Sequence, residues 1–101
     1  MKAVKVQYKV NLDYVNQNKA NIQKVMDRLK QEPISGMLYS SYVLDDGQTF
    51  VHINVSRDEI TMNKLNEIAE FGEFRKALKA SNPIDPPQAT NLNFVGAGFE
   101  L

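Results

Sequence analysis

Residues 37–55 read M-L-Y-S-S-Y-V-L-D-D-G-Q-T-F-V-H-I-N-V, and this stretch decides the fold. Two runs, Met37–Leu44 and Gln48–Val55, are rich in β-branched and aromatic side chains, which suit a pleated surface. They flank Asp45-Asp46-Gly47, a hairpin signal because glycine accepts the positive φ that such turns require. Gly47 either closes a two-residue turn or sits at a bulge, and the two alternatives differ by one residue in register. On the returning strand Val51, Ile53 and Val55 oppose Phe50, His52 and Asn54. His52 is therefore expected to point away from the main apolar layer.

Upstream of the hairpin, Ala3–Val10 alternates strictly, with Val4, Val6, Tyr8 and Val10 on one face and Lys5, Gln7 and Lys9 on the other. That is the pattern of a half-buried strand. From Tyr14 to Gln31 the period becomes helical, carried by Val15, Ile22, Val25, Met26 and Leu29. Asp13 is the expected N-cap and Pro33 the stop, and Gly36 closes the connection to the hairpin. Asn16, Asn18 and Asn21 weaken the first turns.

Downstream, Asp58 or Thr61 caps a second helical region. Its apolar stripes are Met62, Leu65, Ile68 and Ala69, then Phe71, Phe74 and Leu78, with Gly72 marking a kink or break between two pieces. Ser81–Gln88, S-N-P-I-D-P-P-Q, is too rich in proline for helix or strand and reads as an ordered connection. Asn91–Phe99 supplies the last strand. The order βαββαβ over residues 1–101 is that of a single ferredoxin-like α+β domain: a four-stranded antiparallel sheet with both helices on one face.

Composition narrows the function classes. Lys plus Arg and Asp plus Glu both total 12, which leaves no electrostatic footprint for nucleic acid or an anionic membrane. Arg75, Lys76 and Lys79 are offset by Glu67, Glu70 and Glu73 and read as a solvated helix face. The absence of cysteine removes disulfides, thiolate nucleophiles and zinc–thiolate sites, and one histidine cannot make a multi-histidine metal site. No apolar run reaches the roughly 18 residues of a membrane span, and Met1–Val10 lacks the continuous apolar stretch of a signal peptide. The expected compartment is the cytoplasm.

With helices on one face, the other face of the sheet is bare. Met37, Tyr39 and Val43 lie on one side of their strand and Leu38, Tyr42 and Leu44 on the other. Whichever register holds, apolar surface emerges on the uncovered face. Exposed patches of this kind mark partner surfaces, and a two-fold homodimer is the commonest solution. The competing reading folds the C-terminal tail over the sheet.

Among candidate site residues, His52 titrates near neutrality and suits proton relay or substrate orientation, against the plainer role of a hydrogen-bonded interface histidine. Tyr8, Tyr39 and Tyr42 offer flat walls and hydroxyl groups to an aromatic ligand, or serve as packing residues with a polar tip. Asn54 shares the His52 face and can donate an amide hydrogen bond. Ser40 and Ser41 lack an activating motif. Asp45, Asp46, Asp58 and Glu59 read as turn and helix-start residues, and no set of carboxylates has metal-site spacing. Gly96 and Gly98 lack the context of a dinucleotide loop.

The D-D-G-Q-T-F-V-H-I hairpin, and the E-F-G-E-F-R-K-A-L helix followed by a proline-containing connection and a last strand, resemble the dimeric α+β barrel superfamily. Within it they are most similar to the antibiotic-biosynthesis-monooxygenase-like domains, over nearly the whole chain. The resemblance implies two protomers packed sheet against sheet, each with a cavity between sheet and helices. It also implies oxidation of polycyclic aromatic molecules without a cofactor, or haem binding and degradation. The haem-degrading branch uses an Asn, a Trp and a helical His, whereas this chain has no Trp and its only His lies on an expected strand. The reading is a small dimeric domain for cofactor-independent oxygenation or isomerisation of a small aromatic molecule. His52 would be proton acceptor or orienter, and Tyr39, Tyr42 and Asn54 the substrate-binding residues. The alternative is a non-catalytic dimeric module that binds a ligand or another protein.

Overall fold

The alternating N-terminal run forms strand β1, Lys2–Lys9, in a computed structural model that describes residues 1–101. A single 3-10 turn, Leu12–Tyr14, precedes helix α1, Val15–Gln31. The hairpin strands are β2, Met37–Val43, and β3, Thr49–Ser56. Helix α2, Glu59–Asn63, passes through a 3-10 turn at Lys64–Glu67 to helix α3, Ala69–Ala80, and β4 is Asp85–Leu92. The strands pair antiparallel in the order β2-β3-β1-β4. This is the ferredoxin-like α+β sheet expected of the βαββαβ order.

Register follows from the hairpin. Leu44 N–H donates to the Thr49 carbonyl at 2.8 Å and Gly47 N–H to the Leu44 carbonyl at 2.9 Å, so the loop is longer than a two-residue turn. Gly47 takes φ +71°, where a side chain would be strained. The Asp46 carboxylate accepts from the Thr49 hydroxyl and from the Gln48 and Thr49 amides. Those bonds, the hydroxyl first, hold its pKa down at about 2. Val43 consequently faces Phe50, Ser41 faces His52 and Tyr39 faces Asn54.

Four expectations are corrected. Asp13 does not cap α1, because the 3-10 turn satisfies the Tyr14 amide through the Asn11 carbonyl at 2.9 Å and the helix starts without a side-chain cap. Asp58, by contrast, does cap α2, accepting from the Thr61 amide at 2.8 Å. The break in the second helical region sits at Ile68, whose backbone is extended, and Gly72 lies inside α3 with its amide bonded to the Ile68 carbonyl. The last strand is Asp85–Leu92 rather than Asn91–Phe99. Pro86 and Pro87 are accommodated because β4 is an edge strand, where a missing N–H faces no partner, and because its pairing with β1 shifts register between Gln7 and Lys9.

The fourth correction concerns His52. The helix-facing side of β3 is Phe50, His52, Asn54 and Ser56, all buried, while Val51, Ile53 and Val55 lie on the opposite face and are half-buried. The core joins Tyr8, Val10, Val15, Val25, Phe50, Phe74 and Leu78. Arg28 ties α1 to α3 through Glu70 at 3.4 Å.

Candidate functional site

Strand pairing places Tyr8, on β1, beside Phe50, and Val6 beside His52, so the β1–β3 seam sets Tyr8 and His52 side by side under the helices. Their rings stack with centroids 5.4 Å apart, and Phe74 of α3 closes over His52 at 5.3 Å. The Tyr8 hydroxyl lies 2.7 Å from His52 Nε2. On the other side, the Tyr39 hydroxyl from β2 lies 2.7 Å from Nδ1. Asn18 of α1 donates through Nδ2 to the Tyr8 oxygen at 2.9 Å. The result is a chain of four polar side chains, Asn18–Tyr8–His52–Tyr39, threaded through an aromatic core.

Burial sets the protonation of this chain. His52 is 4% exposed, and loss of hydration holds its pKa down at about 4, so the ring is neutral at pH 7. Burial likewise pushes the Tyr8 and Tyr39 hydroxyls well above the usual phenol value, and both remain O–H groups. A neutral imidazole donates from one nitrogen and accepts at the other. With Asn18 donating to Tyr8, the sequence that pairs both hydroxyls with the ring is Tyr8 O–H to Nε2, then Nδ1–H to the Tyr39 oxygen, leaving Asn18 Oδ1 without a partner. The reverse order points the Tyr8 hydrogen at Asn18 and needs that amide turned over, Oδ1 toward Tyr8; the first order needs no such turn. Tyr39 then keeps its own hydrogen for a ligand.

There is a place for one. A cavity of about 1010 Å³ lies between the helix face of the sheet and α2 and α3, at the upper end of the range for small-molecule sites. Tyr39, His52 and Asn54 form part of its wall with Val6, Phe71 and Phe74. The Asn54 carbonyl oxygen accepts from the Ser56 hydroxyl at 2.7 Å, and no hydrogen bond within the protein uses its Nδ2. Asn82 and Pro83 of the connection into β4, with Pro86 and Pro87 of β4 itself, also line it. Asn82 takes φ +52°, held by Asn11 Nδ2, which donates to the Ser81 and Asn82 carbonyls at 3.3 and 3.0 Å.

No protein-family model matches the chain, and no curated protein matches it. Solved structures do match in fold. One, described as an antibiotic biosynthesis monooxygenase, superposes with a TM-score of 0.80 at 16% identity, over 95% of this chain and all of the other. Rv0793 from Mycobacterium tuberculosis gives 0.82 at 16% identity, covering 97% and 98%. SnoaB, a cofactor-independent oxygenase from Streptomyces nogalater, gives 0.71 at 13% identity, covering 98% and 97%. The chain has the antibiotic biosynthesis monooxygenase fold.

On this monooxygenase-type fold, three of the four residues singled out from sequence come together: His52, Tyr39 and Asn54 share one cavity wall. Tyr42 does not join them. It pairs with Val51, on the opposite face of the sheet, and is 55% exposed, because strand side chains alternate and Tyr39 and Tyr42 differ by an odd number. Asn18 is the participant that sequence reading passed over. The signal was present: Val15, Asn18, Ile22, Val25 and Leu29 form one continuous helical stripe, and an asparagine on an apolar stripe needs a buried partner. No helix is long and apolar enough to cross a membrane.

Proposed function

We propose that the cavity accommodates a small aromatic molecule and that the chain acts on it as a cofactor-independent, monooxygenase-like domain. The observation that carries this reading is the buried, neutral His52, whose link to the cavity runs through the Tyr39 hydroxyl. The substrate class is an aromatic ketone or phenol with an acidic hydrogen, since its conjugate anion reduces dioxygen directly. With the Asn18 amide turned so that Oδ1 accepts the Tyr8 hydrogen, Nε2–H donates to the Tyr8 oxygen and Tyr39 O–H to Nδ1; the substrate proton passes to the Tyr39 oxygen as the Tyr39 hydrogen moves to Nδ1. Tyr39 O–H and Asn54 Nδ2 donate to the oxygen on which negative charge develops. For a ring methylene, CH2 plus O2 gives C=O plus H2O: one oxygen atom enters the product and the other leaves as water.

The imidazolium formed on the way donates from both nitrogens, so the Tyr8 hydrogen must turn away from Nε2. Asn18 Oδ1 is buried and has no partner, and an amide flip presents it as the acceptor. Asn18 thus supports both protonation states.

The test is oxygen uptake with anthrone, a tricyclic ketone with an acidic methylene, against a protein-free background. Saturable uptake, at least ~100-fold lower in His52→Ala and reduced in Tyr39→Phe, is expected while circular dichroism stays unchanged. Bound anthrone with no uptake above background would instead favour a non-catalytic ligand-binding module. One observation supports that second reading: His52 and both tyrosines already satisfy one another. Haem does not fit these residues, because both nitrogens of the only histidine are engaged by hydroxyls.

Two copies are inferred to pair through the outer sheet faces. Leu38, Tyr42 and Leu92 are exposed there by 49%, 55% and 40%, flanking half-buried Val51, Ile53 and Val55. Apolar area of this kind gains roughly 25 cal/mol per Å² when covered. Sedimentation equilibrium at twice the chain mass is the expected result.

A further inference from the structure

The charges of α3 are sorted by face. Arg75, Lys76 and Lys79 all line the cavity mouth, and none of the chain's 12 carboxylates lines any part of that cavity. The expectation that Glu67, Glu70 and Glu73 offset these cations is therefore corrected: Glu70 is turned to Arg28 of α1, and Glu67 and Glu73 lie off the cavity. None of the three cations has an ion-pair partner, the only salt bridges being those of Arg28. Arg75 is held over the Phe71 ring at 5.7 Å, and Phe71 meets Tyr39 edge-on at 6.1 Å. The cationic mouth is thereby joined, ring by ring, to the polar chain within.

Gly72 gives an independent sign that something enters here. It sits on the same stripe of α3 as Arg75, Lys76 and Lys79, lines the cavity, and a Cβ added there would meet nothing within 4 Å. Glycine within a helix costs roughly 0.5–1 kcal/mol relative to alanine, and neither a positive φ nor a close neighbour requires it. What it does leave is open space above the helix backbone at the mouth.

Resting on the ligand-binding reading of the same cavity, we propose that its ligands are aromatic carboxylates. The ring system lies against Phe71 and Phe74, within reach of Tyr39, and the carboxylate is held at the mouth by Arg75, Lys76 and Lys79. An arginine and two lysines lining one opening suit an anionic head. The apolar wall behind them suits a flat body.

The experiment compares anthracene-2-carboxylate with anthracene-2-carboxamide, its uncharged counterpart, by fluorescence titration of the full chain. The carboxylate is expected to bind at least ~10-fold tighter at low salt, with the advantage shrinking as ionic strength rises. In the triple variant Arg75→Gln, Lys76→Gln, Lys79→Gln the advantage should vanish, with carboxamide affinity unchanged. Gly72→Leu should weaken both ligands. Equal binding of the two compounds to the wild type, or a carboxylate preference that survives in the triple variant, would overturn the charge assignment and leave the cavity reading intact. Failure of both compounds to bind would overturn the two together.

Discussion

The two faces of β3 differ in the opposite sense from the usual one. The face turned to the helices carries Phe50, His52, Asn54 and Ser56 and is buried, whereas Val51, Ile53 and Val55 look outward and are only half-buried. Polar groups tolerate burial when each finds a partner, and here His52 has two hydroxyls and Asn54 has Ser56. Apolar groups tolerate exposure only at a cost in free energy. On the proposed reading the inner face is a site built around a cavity and the outer face an association surface. A strand's most apolar edge is not always its core.

The largest effect expected from this contrast lies on the outer face. Ile53→Lys places a charge at the centre of the proposed pairing surface, twice over in a two-fold dimer. It should weaken association by about a thousandfold, some 4 kcal/mol, with monomer in sedimentation at micromolar concentration. An unchanged mass would remove the outer face from any role in pairing.

The inner face is sharpened by pH. The folded His52 value of about 4 lies below the ordinary 6.5, so the unfolded chain takes up the proton first as pH falls. Stability is then full above pH 6.5 and declines through the window down to pH 4. Denaturant melts should lose on the order of 3 kcal/mol across it, and His52→Phe should flatten this slope. Asp46, whose pKa is also lowered, acts below that window, its contribution being lost as pH falls from 3.8 toward 2.

Asn18→Ala comes next, since it strips Tyr8 of its donor without touching the cavity wall. A loss of about 1–3 kcal/mol is expected, together with a drop in anthrone turnover that exceeds the change in anthrone affinity. Equal losses in turnover and binding would reduce Asn18 to a packing residue. The smallest effect has the opposite sign. Gly72→Ala should stabilise the chain by about 0.4–1 kcal/mol in thermal melts, because the added methyl meets nothing and the unfolded chain loses freedom.

How much of this was legible beforehand depended on whether a residue's role was local. The alternation of Val4, Val6 and Tyr8, the stripe from Val15 to Leu29 and the Asp-Asp-Gly turn are each written within a few residues, and each formed the expected element. The start of β4 was not legible, because Pro86 and Pro87 are compatible with a strand only at a sheet edge, and edge position is set by which strand pairs with which. The break at Ile68 rather than Gly72 shows the same limit, since a glycine permits a bend without compelling one.

By itself the sequence determined the order of elements and the ferredoxin-like α+β class, because hydrophobic period and turn chemistry act between near neighbours, and it offered the candidates His52, Tyr39, Tyr42 and Asn54. Only the tertiary structure decided which face of β3 turned inward. It brought Asn18 from α1 to Tyr8, sent Tyr42 to the far side and set Arg75, Lys76 and Lys79 around an opening free of carboxylates. Those outcomes depend on groups far apart in the chain: Tyr8 and His52, for instance, are separated by 44 positions. A hydrogen bond at that separation exists only once the sheet has formed.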